Sequence, residues 1–364
     1  MTRFDCQTGW NAAQIAADTA WVMRLDQAWV DNIIDVTRNA MARSGCGDQL
    51  FGYTRRDFDF SPGVRDLLDA VATELAEHSG MVLLKGMPVD DLDLATARTL
   101  YWGLGLYLGV PRPQGKMSQF MSNVRDEGGT YRSTKGRGYN TNSKLDFHSD
   151  GSDLVGLICL KQAREGGDSM VTHSLHAWRV MQSERPDLAE RLFDLFVFSR
   201  QGEEAADEPP WYRASVIGEK NGRLFCRYVR NHINSAQLAF EDIPRMTPQQ
   251  IEALDLFDAT LARPALCYRM RLEKGDIQWL NNHVVLHSRT AYVDHDEPAE
   301  KRHLLRLWLA SYRGDELPDN WRDCYKSTQA RSVRGGFKGT QITEEVRAYI
   351  HRLARETAMD AHAV

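Results

Sequence analysis

His148-Ser149-Asp150 sets an imidazole and a carboxylate two positions apart. In an extended segment, where side chains alternate between faces, both would project the same way and could hold one cation together. A single His-x-Asp recurs by chance, so its weight depends on a third donor. His287 supplies one 139 positions downstream (287 − 148), inside the apolar segment Val285-Leu286-His287-Ser288-Arg289. Two imidazoles and one carboxylate on one face of an ion suit iron(II), and they leave positions open for a bidentate oxo-acid and dioxygen. A structural zinc site would need a fourth protein ligand and would close those positions.

The elements that must position these residues can be read from periodicity. Trp29, Ile33, Ile34 and Val36 recur at helical spacing before Gly45, Gly47 and Gly52 interrupt them, which predicts a helical cover over residues 1–62. A helix over 63–78 should run into the buried strand Met81-Val82-Leu83-Leu84 between Gly80 and Gly86, and Asp93 can cap a helix carrying Leu94, Ala97, Tyr101, Leu104 and Leu108. Farther on, short strand candidates dominate: 155–160, 214–218, 223–230, 267–272, 277–280, 284–287 and 303–309. Asn221-Gly222 is a hairpin turn signal. Helices are predicted over 174–198, broken at Pro186, over 247–263 behind the capping box Thr247-Pro248-Gln249-Gln250, and over 344–360. The acidic, proline-containing stretch 203–210 reads as a surface loop. Many short strands without βα alternation predict a mixed α+β fold, a double-stranded β-helix (jelly roll, cupin-like) with flanking helices. The predicted organisation is one domain over 1–364, with a jelly-roll core carrying helical insertions over 63–312 and a C-terminal extension and helix over 313–364.

The composition narrows the partners. With 42% hydrophobic and 26% charged residues the chain is that of a globular protein, and a formal net charge of −5 gives no basic field for nucleic acid. The N-terminus lacks a charged-then-apolar leader, and no apolar run approaches the roughly 20 residues that span a bilayer, so a cytoplasmic protein without membrane contact is expected. Cys6, Cys46, Cys159, Cys226, Cys267 and Cys324 lie far apart with no Cys-x-x-Cys pair, which predicts reduced, mostly buried thiols. The chain is compatible with a homo-oligomer.

Five ordered segments give the sequence a specific likeness: Met81-Val82-Leu83-Leu84-Lys85-Gly86, Phe147-His148-Ser149-Asp150, Gly166-Gly167-Asp168-Ser169, Asn281-Asn282-His283-Val284-Val285-Leu286-His287 and Arg302-His303-Leu304-Leu305-Arg306. Over roughly residues 80–312 the chain resembles the TauD/TfdA-like (taurine and 2,4-D dioxygenase) 2-oxoglutarate oxygenases. The resemblance implies iron(II) on His148, Asp150 and His287, with 2-oxoglutarate and dioxygen as co-substrates. It favours His287 over His283 as the distal ligand. It also implies that Arg302 binds the distal carboxylate of 2-oxoglutarate, with a hydroxyl contact from Ser169, and that Arg306 reaches the primary substrate. A planar guanidinium suits such a carboxylate because it can form paired, charge-assisted bonds.

Arg306 therefore suggests a small-molecule substrate with an anionic or hydrogen-bond-accepting group; its bland counterpart is an ion pair with a local carboxylate. The polar segment Arg137-Gly138-Tyr139-Asn140-Thr141-Asn142 and Lys144 are candidates for a substrate-facing loop, chiefly Tyr139, Asn140, Asn142 and Lys144. Trp211, Tyr212, Tyr228 and Asn231 could line the same pocket. His173, His176 and His303 read as packing residues. The expected activity is oxidation of a small molecule, foremost hydroxylation, with desaturation, epoxidation and C–X cleavage left open, and release of succinate and carbon dioxide. The competing readings are a non-catalytic jelly-roll protein that binds a small molecule and a cupin-type metal oxygenase that does not use 2-oxoglutarate.

Overall fold

The structure is a computed structural model that describes residues 3–44, 50–129, 131, 138–339 and 342–362; Cys46 and Arg137 lie outside them. Its centre is a mixed seven-stranded sheet in which Val22–Arg24, Met81–Lys85, Ile277–Asn281, Leu154–Lys161, His303–Ser311 and Gly109–Pro111 lie side by side in that order. Met121–Val124 also pairs with His303–Ser311. All of these contacts are antiparallel except that between Val22–Arg24 and Met81–Lys85. The N-terminal region is therefore more than a helical cover, since it adds an edge strand to the sheet.

Side-chain alternation explains how this sheet serves both packing and chemistry. In His303–Ser311, Leu305, Leu307 and Leu309 join one apolar cluster, whereas Leu304 and Trp308 join another, with Arg306 between them. The first cluster includes the buried stripes of helices Pro62–Glu77 and Leu94–Leu106, capped by Ser61 and Asp93 as their sequences demand. Each leucine buried there contributes about 1.5–3 kcal/mol. The second cluster borders the cavity described below. A three-stranded antiparallel sheet, Tyr268–Met270, Ser169–His173 and Val285–Arg289, supplies another part of the cavity wall.

Several expected boundaries shift. The helix expected over 174–198 breaks at Pro186 as expected, into Ser174–Glu184 and Pro186–Arg191, but ends there and gives way to the strand Leu195–Ser199. That strand pairs with Trp211–Ser215, and the Phe198 and Tyr212 rings stack at 5.4 Å, a long-range contact that local periodicity does not encode. The strand expected over 223–230 ends at Cys226, and a helix Arg230–Ala239 follows. Asn221-Gly222 does turn the hairpin between Ile217–Lys220 and Arg223–Cys226, with φ of 53° and 75° at the two residues. The capping box at Thr247 and the closing helix, observed as Glu344–Glu356, are present. Among the described residues, no helix is long and apolar enough to cross a membrane.

Candidate active site

The predicted metal residues meet through backbone pairing. His148 and His287 face each other in an antiparallel bridge, each amide donating to the other's carbonyl at 3.0 Å, and their ring centroids lie 4.3 Å apart. One ligand atom from each of His148, Asp150 and His287 lies within 4.8 Å of the others, a group that could hold a metal ion. His148 Nδ1 is 2.8 Å from the Asp146 carbonyl, so Nδ1–H donates and Nε2 is left as the lone-pair atom. Burial, with His148 adding to it, lowers the His287 pKa to about 3 and keeps that imidazole neutral.

Asp150 is held from several sides. Trp308 Nε1 donates to Oδ2 at 2.9 Å, Arg306 Nη1 lies 3.3 Å from Oδ1, and the Asp150 amide donates to Asn282 Oδ1 at 3.1 Å. Burial alone would raise its pKa; Arg306, the two histidines and the Trp308 bond outweigh it and hold the carboxyl below its ordinary value. Arg306 is fixed in turn by Gln114, whose Oε1 accepts from Nε at 2.8 Å.

All three ligand candidates line a cavity of about 170 Å³, together with Ser169, Arg289, Arg302 and Arg306. Arg302 is 6% exposed, has no ion-pair partner among the described residues, and its Nη1 meets no hydrogen-bond acceptor. Arg289 shares this neighbourhood: its guanidinium lies 4.8 Å from the Tyr292 ring centroid, and that of Arg302 lies 5.0 Å away. Burial, with Arg302 adding to it, lowers the Arg289 pKa to about 10. Gly167 makes room for Arg302, because at φ +73° a Cβ there would lie 3.1 Å from Arg302 Nε. Ser169 Oγ is 3.0 Å from Gln278 Oε1. A flipped Gln278 amide would make Gln278 the donor and free the Ser169 hydroxyl proton for another acceptor.

Of the proposed substrate residues, Tyr139 lines the cavity and lies under Arg306, 5.3 Å from guanidinium carbon to ring centroid. Asn140, Asn142 and Lys144 are not on its wall: Asn142 and Lys144 are exposed, and the Asn140 carbonyl accepts from the amides of Glu127 and Gly129. Tyr212 and Asn231 line it, but Trp211 does not, and Tyr228 is buried with its hydroxyl on Asp258. His283 turns away to Asp153, with Nε2 to Oδ1 at 2.8 Å. The loop read as plain surface also reaches inward, since Glu208 is on the wall. Sequence reasoning missed Arg289 and Trp308, which sit two positions beyond His287 and Arg306 and were accessible to the same alternation rule. It also missed Arg227, Cys324 and Phe337, for which no local signal exists.

A mixed sheet fold whose cavity gathers two imidazoles, one carboxylate and a buried guanidinium with no ion-pair partner among the described residues has the features of a non-haem iron(II) oxygenase. The profile described as "Taurine catabolism dioxygenase TauD, TfdA family" matches residues 48–308. FR-33289 synthase of Streptomyces rubellomurinus is 33% identical over 318 residues, which cover 85% of this chain and 91% of that protein. Among solved structures, an asparagine oxygenase in complex with Fe(II), 2S,3S-3-hydroxyasparagine and succinate is similar, with TM-score 0.61 and 17% identity over 80% of this chain and 95% of that one. The non-haem iron oxygenase OrfP in complex with Fe and alpha-ketoglutaric acid has TM-score 0.59 and 16% identity over 80% and 94% of the two chains. The chain belongs to the TauD/TfdA family and is an Fe(II)- and 2-oxoglutarate-dependent oxygenase.

Proposed function

We propose that His148, Asp150 and His287 hold the iron, that Arg302 with Ser169 anchors 2-oxoglutarate, and that the enzyme hydroxylates a small molecule bearing an anionic group. The observation that carries this reading is the meeting, in one cavity, of the three ligand atoms within 4.8 Å of one another and a buried Arg302 without a carboxylate partner among the described residues. The donor chemistry fits: a neutral imidazole at His287, an Nε2 lone pair at His148 and an ionised Asp150 are the forms a metal ligand needs. Bound iron(II) supplies the redox centre at which dioxygen and 2-oxoglutarate are consumed.

The chain's own residues do the rest. Arg306 and Trp308 orient Asp150, and the Asp146 carbonyl orients His148. The Arg302 fork is preorganised for a carboxylate beside the metal position, with Arg289 adding positive charge. Val124, Leu157 and Leu272 line the cavity and exclude water from the reacting groups. We read the sheets as the two layers of a double-stranded β-helix within one domain over 1–364, a reading supported by the likeness to the asparagine oxygenase and OrfP folds. An acidic substrate is supported by the excess of arginine on the cavity wall.

The test is succinate formation from 2-oxoglutarate by iron-loaded protein under air, with and without a panel of carboxylates, amino acids and phosphorylated compounds. Succinate that depends on iron and dioxygen, rises with one acidic compound and disappears in Asp150→Ala supports the proposal. A protein that retains neither iron nor 2-oxoglutarate opposes it and favours the non-catalytic binding reading.

A further inference from the structure

Arg227 is a buried cation that the proposed chemistry leaves unused. It is 5% exposed and lines the cavity, yet it has no carboxylate partner among the described residues. Its Nε donates to Cys324 Sγ at 2.7 Å and its Nη2 to the Tyr212 hydroxyl, while Nη1 meets no acceptor. Aromatic rings surround it, with the Phe198 and Tyr212 centroids at 4.9 and 5.0 Å. Burying an ion without a counter-ion costs several kcal/mol, so the fold carries this charge in expectation of one.

A second guanidinium repeats the pattern. Arg200 also lines the cavity, lies 4.8 Å from the Tyr212 ring centroid, and among the described residues donates to carbonyls alone, Pro209 at 3.0 Å and Asp323 at 2.9 Å. Lys326 and Lys338 stand on the same wall and are paired with Glu208 and Asp207. Four cations therefore face two carboxylates here. The group is close to the metal position: Val229, two residues after Arg227, bridges to His148, and two residues of extended chain span roughly 7 Å. Three segments join to build it: Arg200 follows the strand Leu195–Ser199, Arg227 follows the strand Arg223–Cys226, and Lys326 and Lys338 lie beyond residue 308, where the family match stops.

We propose that Arg227, with Arg200 and Lys326, forms an oxyanion subsite that takes the acid group of the substrate, a carboxylate or a phosphonate-type group, while 2-oxoglutarate occupies Arg302. The inference rests on the cavity being the oxygenase site. It places substrate recognition on the Arg227 wall and assigns Arg306 to Asp150. Nη1 of Arg227 is a buried donor behind the wall that meets no acceptor among the described residues, and its charge with that of Arg200 sets a positive field there, to which Lys326, paired with Glu208, is a supplement.

The experiment uses anaerobic protein loaded with iron(II) and saturated with 2-oxoglutarate, titrated at fixed ionic strength with methylphosphonate and separately with propionate, read by calorimetry. Saturable binding of either probe is expected, weakened about 30-fold or more in Arg227→Met, as for truncating one partner of a buried charge pair. Preference for methylphosphonate assigns a phosphonate-type group, and preference for propionate assigns a carboxylate. If Arg227→Met does not fold, Arg200→Gln and Lys326→Gln serve instead, each expected to weaken binding about threefold or more. Wild-type protein that binds 2-oxoglutarate but neither probe overturns the subsite and leaves the oxygenase reading intact; absence of 2-oxoglutarate binding overturns that reading as well. Probe binding unaffected by any of these substitutions overturns the assignment to Arg227.

Discussion

The Arg306 guanidinium lies 3.3 Å from Oδ1 and 3.4 Å from Oδ2 of Asp150, so the arginine that the sequence pointed toward substrate is engaged with a candidate metal ligand. Removing it frees the carboxylate to rotate about its remaining Trp308 bond. Loss of a group that orients a metal ligand commonly costs 10–100-fold in affinity. Arg306→Met should therefore weaken iron(II) binding by about that factor, measured anaerobically against a competing chelator. Unchanged iron affinity with a raised substrate KM would return Arg306 to the substrate.

Gly167 is a different kind of constraint, because its backbone and its space are both committed. At φ +73°, any L side chain costs about 1–2 kcal/mol. The new Cβ of Gly167→Ala would also lie 3.1 Å from Nε and 3.4 Å from Cδ of Arg302. The 2-oxoglutarate KM in a succinate assay should rise about tenfold, and about 30-fold or more in Arg302→Met, where the charged bonds are lost outright. A KM unchanged in both variants would remove Arg302 from the 2-oxoglutarate site.

The turn after the metal motif is anchored by Asp153. Its Oδ1 accepts from His283 Nε2 and Arg334 Nε, both at 2.8 Å, and its Oδ2 accepts from the Ser311 amide at 3.0 Å. The Gly336 amide donates to the Gly151 carbonyl at 2.7 Å, which ties the C-terminal extension to the same turn. Arg334 has a fully buried side chain, and removing one partner of a buried pair costs about 3–5 kcal/mol. Arg334→Met should lower unfolding free energy by that order, read from urea midpoints, and a change within about 0.5 kcal/mol would show the pair to be dispensable.

What could be read from sequence alone was what depends on local spacing. The two-residue alternation brought out His148 with Asp150, the search for a third donor in an apolar strand segment brought out His287, and the family likeness added Ser169, Arg302 and Arg306, all of which the structure brings to one cavity. Alternation extended one step would have added Arg289 and Trp308. Polarity misled at Asn142 and Lys144, whose exposed side chains belong to a turn packed outside the cavity, the Asn142 carbonyl accepting from the Tyr292 amide. The Arg227 wall was illegible because its parts, Tyr212, Arg227 and Cys324, meet only through folding. The helix expected to continue to residue 198 failed for the same reason: pairing with Trp211–Ser215 overrides local preference.

His173 gives the molecule an acid-sensitive point away from the proposed chemistry. It is fully buried, caps the helix Ser174–Glu184 by accepting from the His176 amide at 3.4 Å, and packs edge-on to Trp10. Burial, with His176 and Arg179 adding to it, lowers its pKa to about 3, whereas the unfolded chain titrates near 6.5. Below pH 6.5 the unfolded state binds this proton and the folded state does not, so stability falls with pH until about pH 3. Each unit costs about 1.4 kcal/mol, which makes roughly 2 kcal/mol between pH 6.5 and 5. His173→Asn keeps an acceptor for the helix end but cannot take a proton. Its urea stability should therefore change less than wild type over that interval by about 2 kcal/mol, and parallel pH profiles for the two proteins would mean that His173 is protonated in the folded state.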